Sequence, residues 1–429
     1  MKNTIHETKD NTLPSAVLVA VYPDTSHDES ELDELASLLE TAGGQAIARL
    51  VQYRPTPDNA TYIGKGKLEE LKELCEANEI ELVIFDSELS PSQIREIENF
   101  LGDVRVIDRT MLILDIFAGN ATTNEGILQV QIARLKYTIP RLRGQGKDLS
   151  RLGGGIGTRG PGESKLESDK RHIKTHIAYL EEELRDLEKR RMTQRKNREN
   201  SGIVQVSVAG YTNVGKSTLL NRLTGANILA ANKLFATLDP TTRKWTLPNA
   251  GEVVLTDTVG FIKNLPHHLI DAFKSTLAEV VFSDIILVVL DITSPDVRSQ
   301  YDVSVELIHS LLEKEGMEEK PIIYVFNKCD KTDEPIPEEI LGLGSKDNAV
   351  FISAATGEGI DSLVEAVEKV ILSVKKETRF LLPHSKAGYI DMLYKTSNVK
   401  SVEYVDSGIL VTAIVDDKVR GQLKEYINE

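Results

Sequence analysis

Two cysteines in 429 residues, Cys75 and Cys329, are too few for a disulfide framework or a cysteine-based metal site. No apolar run approaches the ~20 residues a bilayer span requires. The polar start, Met1-Lys-Asn-Thr-Ile-His6, lacks a signal-peptide core. Excess positive charge is missing as well: the net charge is −15, which taken alone argues against a nucleic-acid partner. What is present is ordinary globular composition, 41% hydrophobic and 27% charged, at a length that suits two to four domains. The expectation is a cytoplasmic protein with no membrane span.

The average charge hides an asymmetry. Residues 134–174 hold eleven Lys/Arg against four Asp/Glu, so that window is +7 and the remainder of the chain is −22. A second run, Lys189 to Arg198, has six bases and no acid. A basic island on an acidic chain is an electrostatic footprint for a polyanion.

Strand and helix patterns divide the chain into four expected parts. Residues 1–120 alternate apolar runs (16–22, 46–52, 81–85, 104–107) with helical spacing (29–42, 66–78, 91–101, 109–117), which predicts a small parallel α/β domain. Tyr62-Ile-Gly-Lys-Gly-Lys67 lacks the spacing of a phosphate loop and reads as a glycine turn into a helix. Residues 121–200 form a pair of seams. Leu128, Ile132, Leu135 and Ile139 step 4-3-4, and Ile173, Ile177, Leu180, Leu184 and Leu187 step 4-3-4-3, which predicts an antiparallel helical hairpin. Its tip, roughly 140–165, carries eight glycines with Arg141, Arg143, Lys147, Arg151, Arg159 and Lys165. Glycine permits close backbone approach and arginine matches phosphate geometry, so the tip is expected to meet an RNA backbone. Residues 201–375 repeat strand and helix as a doubly wound sheet. Residues 376–429 read as a small α+β module with a hairpin turning at Ser407-Gly408 between 399–405 and 409–415.

Chemistry concentrates in 201–375. Gly210, Tyr211, Thr212, Asn213, Val214, Gly215, Lys216 and Ser217 lie between an apolar run, 204–209, and an amphipathic one beginning at Thr218. Strand, glycine loop, helix is the context of a P-loop: backbone N–H groups cradle α- and β-phosphates, Lys216 reaches β/γ oxygens, and Ser217 offers a hydroxyl to Mg²⁺. Asp257, Thr258, Val259 and Gly260 end the next strand, where the carboxylate can hold a Mg²⁺-bound water and the glycine N–H can meet a γ-phosphate. Between them, Phe235, Ala236, Thr237, Leu238 and Asp239 fall in a loop. A threonine there would ligate Mg²⁺ only with the γ-phosphate in place. Thr237 is the candidate, with Thr241 and Thr242 near enough to serve instead. Asn327, Lys328, Cys329 and Asp330 end a further strand. Asp330 can accept guanine N1–H and the exocyclic amine, a pair that adenine does not offer, and Asn327 can bond the other base edge. Ser353, Ala354 and Ala355 end the last strand, where a backbone N–H could meet guanine O6. The nucleotide is expected to be GTP, with Lys216, Thr237 and Gly260 as the candidate catalytic groups. Cys329 is then a bystander between two base contacts.

These five motifs resemble those of translation-factor-type GTPases. The finer wording is similar to the HflX family, on Gly153-Gly-Gly-Ile-Gly-Thr-Arg-Gly-Pro-Gly-Glu-Ser-Lys-Leu166, Phe235-Ala-Thr-Leu-Asp-Pro-Thr-Thr-Arg243 and Asp257-Thr-Val-Gly-Phe-Ile-Lys-Asn-Leu-Pro-His-His-Leu269. The resemblance spans nearly all of the chain and is least diagnostic over 376–429. It implies a GTPase that binds the large (50S) ribosomal subunit and can split or rescue stalled ribosomes. The chain is expected to be a monomer. A ribosome-assembly or RNA-remodelling factor with the same GTPase domain is the alternative. One expected group is absent: Phe261 stands where many GTPases have a glutamine that orients the attacking water.

Overall fold

Strand-forming runs and helical seams assemble three separate sheets in a computed structural model. It describes residues 14–25, 30–142, 161–200, 203–225, 241–258, 260–261, 279–332, 348–374, 376–415 and 417–428. The chain divides into two compact units, with the sequence boundary between Leu184 and Arg185.

In the first unit β1 (Ser15–Tyr22), β2 (Gln45–Tyr53), β3 (Leu82–Phe85) and β4 (Arg105–Asp108) form an all-parallel sheet in the order β2-β1-β3-β4. The connecting helices are α1 (Ser30–Thr41), α2 (Lys65–Ala77) and α3 (Pro91–Leu101), followed by α4 (Arg109–Asn120). Alternate residues of a strand face opposite ways, and here both faces are buried. Val17 and Val19 join a cluster with Leu68, Leu71, Ile97 and Leu101 of α2 and α3. Leu18 and Ala20, pointing to the other face, are equally buried. The Tyr62–Lys67 run is the turn that opens α2: Gly64 is its N-cap, and the Gly64 N–H donates to Gln52 Oε1 at 2.8 Å.

The helical hairpin follows. In α5 (Asn124–Thr138) and α6 (Pro161–Asn200), Ile132 packs with Ile177 and Leu180, flanked by Leu128, Leu135, Ile139, Ile173 and Leu184. The expected seam is therefore observed as far as Leu184; Leu187, expected to extend it, is not part of the cluster. Its root is bolted to the sheet by Asp108, a wholly buried carboxylate at the end of β4. Asp108 accepts from the N–H groups of Leu89 (3.1 Å) and Met111 (3.0 Å), from the Tyr137 hydroxyl and from Arg141 (3.0 Å). Buried charge persists only when saturated with donors in this way. Beside it the buried Arg109 pairs with Asp86 at 2.7 Å and with Glu34.

This corrects one expectation. Arg141 is not a tip residue. It lies in a 3₁₀ turn, Ile139–Leu142, stacks over the Tyr137 ring at 3.4 Å, and donates to Tyr137 O and Leu89 O as well as to Asp108. With its guanidinium so engaged, Arg141 locks the hairpin root and is not available to RNA phosphates. Helix α6 also begins at Pro161, so Lys165 belongs to a helix rather than to the loop. Arg143, Lys147, Arg151 and Arg159 lie outside the described residues.

In the second unit β5 (Gln205–Gly210), β6 (Thr242–Leu247), β7 (Gly251–Asp257), β8 (Ile285–Asp291), β9 (Ile322–Asn327) and β10 (Ala349–Phe351) form one sheet, ordered β10-β9-β8-β5-β7-β6. Five strands are parallel. Only β6 runs antiparallel, against β7, as an edge strand that the sequence pattern did not reveal. Helices α7 (Lys216–Thr224) and α8 (Val297–Lys314) lie between its strands, and α9 (Ile360–Val374) follows β10. The third sheet holds β11 (Lys376–Leu382), β12 (Asn398–Val405) and β13 (Gly408–Val415) in the order β11-β13-β12, all antiparallel. The β12–β13 hairpin was expected; β11 was not. Helix α10 (Gly388–Thr396) contributes Leu393 to its core, and α11 (Asp417–Gln422) contributes Val419.

Candidate nucleotide site

Parallel strands put all their carboxyl ends on one edge of the sheet, which is where ligands of this architecture bind. Register makes this concrete in the second unit. Val208 of β5 lies beside Asp257 of β7, Gly210 beside Val289 of β8, and Asp291 of β8 beside Asn327 of β9. Four of the five motifs thus converge on one edge. The fifth, 235–239 with Thr237, lies outside the described residues, as does Val259.

The loop from Gly210 to α7 is built on two obligatory glycines. Gly210 (φ 139°) passes so close to β8 that a Cβ would stand 2.2 Å from Val289 O. Gly215 (φ 97°) caps α7, and a Cβ there would stand 2.3 Å from Asn327 Nδ2. Left-handed backbone at both positions, with the Val289 backbone against Gly210 and the hydrogen-bonded Asn327 amide against Gly215, disfavours any side chain. Lys216 is 7% exposed, and its Nζ donates to Gly210 O (3.1 Å) and Tyr211 O (2.6 Å), folding over the loop it follows. Burial lowers its pKa to about 8, against a smaller opposing pull from Asp257. An ammonium this poorly hydrated gains strongly from anionic oxygens.

Ser217 Oγ donates to Asp257 Oδ2 at 2.9 Å, joining the P-loop helix to β7. The other carboxylate oxygen accepts from Thr258 N (2.9 Å), and Thr258 Oγ1 donates to Val208 O (2.8 Å). Gly260 packs against the P-loop: a Cβ would lie 2.6 Å from Thr212 Cγ2 and 3.0 Å from Lys216 Nζ. Phe261 completes this contact through backbone alone, its N–H donating to Gly210 O (3.0 Å) and its carbonyl accepting from Thr212 N (2.8 Å). Its ring is 2% exposed. Of the rival threonines, Thr242 is committed to β6, its hydroxyl 3.3 Å from that of Thr256, whereas Thr241 accepts Asp257 N–H through its carbonyl.

The 327–330 and 353–355 stretches meet through Asn327. Its Nδ2 donates to Val214 O (2.7 Å) and its Oδ1 accepts from Ala354 N (2.9 Å), so one buried amide ties the P-loop to the 353–355 turn. The expected contact of Asn327 with a base edge is left to its remaining N–H. Lys328 (φ 72°) bonds Asp291 Oδ2 at 2.6 Å, and Asp330 is exposed. The Cys329 N–H donates to Ile352 O, and burial pushes its thiol above the ordinary pKa. Ser353 is fully buried, with its Oγ accepting from Thr356 N. One participant was not expected: Arg222 of α7 donates from Nε to Ala354 O (3.2 Å) and from Nη2 to Ala355 O. No local pattern marks it, because its partners lie 132 and 133 positions away.

Residues 29–118 match the family model "GTP-binding GTPase N-terminal" and residues 120–198 match "GTP-binding GTPase Middle Region". Residues 205–328 match "50S ribosome-binding GTPase" and residues 342–418 "HflX C-terminal domain". GTPase HflX of Caldanaerobacter subterraneus is 47% identical over 412 residues, covering 96% of this chain and 93% of that protein. GTPase HflX of Escherichia coli is 42% identical over 369 residues, covering 86% and 85%. A solved GTP-binding protein from Sulfolobus solfataricus, in complex with GDP, is 25% identical, covers 83% of this chain and 98% of that one, and superposes with a TM-score of 0.45. The matched models run through the chain from residue 29 to 418 and the identities extend across its length: it belongs to the HflX family of GTPases.

Proposed function

We propose that the chain is a GTP-driven switch that binds the large ribosomal subunit, splits or rescues stalled ribosomes, and leaves after hydrolysis. The observation that carries the reading is the common edge on which Lys216, Ser217, Asp257, Asn327 and Ala354 meet. Phosphate-binding and guanine-reading elements are hydrogen-bonded into one frame there. The match of residues 205–328 to the 50S ribosome-binding GTPase model supports the partner.

Within that reading, Lys216 turns from its two carbonyls to the β- and γ-phosphate oxygens. The Gly260 N–H meets the γ-phosphate. The hydroxyl–carboxylate pair of Ser217 and Asp257 is a set of hard oxygen donors of the kind Mg²⁺ takes. Ser217 and Thr237 would ligate the ion, with Asp257 behind a water. Bound there, Mg²⁺ neutralises charge on the β- and γ-oxygens. Ser217→Ala is expected to weaken Mg²⁺-dependent binding of GDP and GTP alike, whereas Thr237→Ala spares GDP affinity and lowers hydrolysis. Fluorescent-nucleotide titrations and phosphate release separate the two. Normal hydrolysis by Thr237→Ala together with loss in Thr241→Ala would move the assignment to Thr241.

The RNA-facing part is the basic segment 143–160, without Arg141. Changing Arg143, Arg151 and Arg159 together to Glu is expected to weaken 50S binding. It should also flatten the log–log salt dependence by about 0.7–0.9 per lost phosphate contact. GTP affinity stays constant. An unchanged salt slope would remove the tip from the interface. The function itself is tested on sucrose gradients of 70S ribosomes with a non-hydrolysable GTP analogue present. Conversion to free subunits is expected; intact 70S particles with the protein bound would contradict splitting, and binding to immature precursors alone would favour the assembly factor.

A further inference from the structure

Guanine O6 is an acceptor, so a site that reads it needs a donor aimed at a fixed point. The 353–355 turn supplies only backbone N–H groups, and a turn does not by itself hold a peptide plane in one orientation. Three consecutive planes are nevertheless fixed here, the first by Asn327 and Gly357 and the other two with the help of Arg222. The 353–354 peptide is held at both ends, with Ala354 N donating to Asn327 Oδ1 (2.9 Å) and Ser353 O accepting from Gly357 N (2.8 Å). The 355–356 peptide is held by Thr356 N on Ser353 Oγ (3.1 Å) and by Arg222 Nη2 on Ala355 O. The plane between them, 354–355, is held only on its carbonyl side, by Arg222 Nε on Ala354 O at 3.2 Å.

In a trans peptide the N–H points opposite to the C=O. By fixing the Ala354 carbonyl, Arg222 therefore also fixes the direction of the Ala355 N–H. A cation on the carbonyl further polarises the peptide and makes that N–H a stronger donor. Among the described residues it is the N–H of this turn that donates to no other group. We propose that Arg222 is a positioning residue for guanine selectivity, acting through the Ala354–Ala355 peptide on the 6-oxo group of the base. This rests on the reading of the edge as a GTP site. Arg222 acts through the peptide: it lies on α7, with its guanidinium also 3.6 Å from where a Cβ on Gly357 would be.

The test is a cycle between Arg222 and the 6-oxo group. The full chain, as wild type, Arg222→Ala and Arg222→Lys, is titrated with GDP and with 2-aminopurine riboside diphosphate, which lacks O6. The Asp330 contribution is common to all variants and cancels. Arg222→Ala is expected to lose about tenfold in GDP affinity, the size of one net hydrogen bond. Its affinity for the 2-aminopurine nucleotide should change less than twofold, and hydrolysis at saturating GTP should be unaltered. Arg222→Lys, keeping one donor, falls between. Equal losses for both nucleotides would show a general loosening and overturn the assignment, as would unchanged GDP affinity. A wild type that binds GDP and the 2-aminopurine nucleotide equally would overturn the guanine site itself, and the proposal with it. Arg222 is exposed, so the variants remove no core packing.

Discussion

Asp330→Asn is expected to lower GTP affinity about a hundredfold, because one carboxylate accepts two base donors and a hydrogen bond to a charged group contributes about 1.5–3 kcal/mol. The same variant should gain affinity for xanthosine triphosphate, whose 2-oxo group now meets an amide donor. The two effects must appear together. Loss without gain would describe a damaged loop, and unchanged GTP affinity would remove Asp330 from the base site. The surrounding geometry favours a clean result. Asp330 is exposed at the end of β9. The residues that fix the loop act through other bonds: Asn327 on Val214 and Ala354, Lys328 on Asp291, and the Cys329 N–H on Ile352.

Turnover is the second large effect. Phe261 is buried, and its backbone is spent on two hydrogen bonds to the P-loop, so its contribution is to hold Gly260 against Thr212 and Lys216. No polar side-chain atom at that position can orient a water. The free protein is expected to turn over well below one GTP per second, under typical enzyme rates. Large subunits should raise the rate about a hundredfold or more, the size of one supplied transition-state contact. Multiple-turnover phosphate release with and without 50S particles measures this. Fast turnover by the free protein would mean that another side chain of the chain orients the water. Phe261→Gln should not restore activity, since it replaces a buried ring with a buried amide.

Sequence patterns found the parallel strands well, because a strand buried on both faces reads as a continuous apolar run. Ile285–Asp291 is an example, with its first six residues buried. The two missed strands are those without that signature. In β6, Thr242–Leu247, only Trp245 and Leu247 are buried, so the alternation rests on two residues. In β11 the run opens on Lys376 and Glu377, and its apolar part, Phe380–Leu382, is short. The stretches 210–217, 257–260, 327–330 and 353–355 stood out because each is contiguous and follows a strand, and the structure brings them to one edge. Their mutual wiring was not legible: Asn327 reaches Val214 across 113 positions and Arg222 reaches Ala354 across 132. Arg141 was misread for a related reason. Its charge is local information, but the buried Asp108 that claims it lies 33 residues upstream on another element.

Control of large-subunit attachment by nucleotide state is read out by equilibrium binding to purified 50S particles. The protein is titrated with a non-hydrolysable GTP analogue and with GDP at constant salt, since affinity for RNA depends on salt. A switch must bind its partner differently in its two states, and each tenfold ratio corresponds to about 1.4 kcal/mol. Binding is expected to be at least about tenfold tighter with the analogue than with GDP. Equal affinity in the two nucleotide states would contradict it.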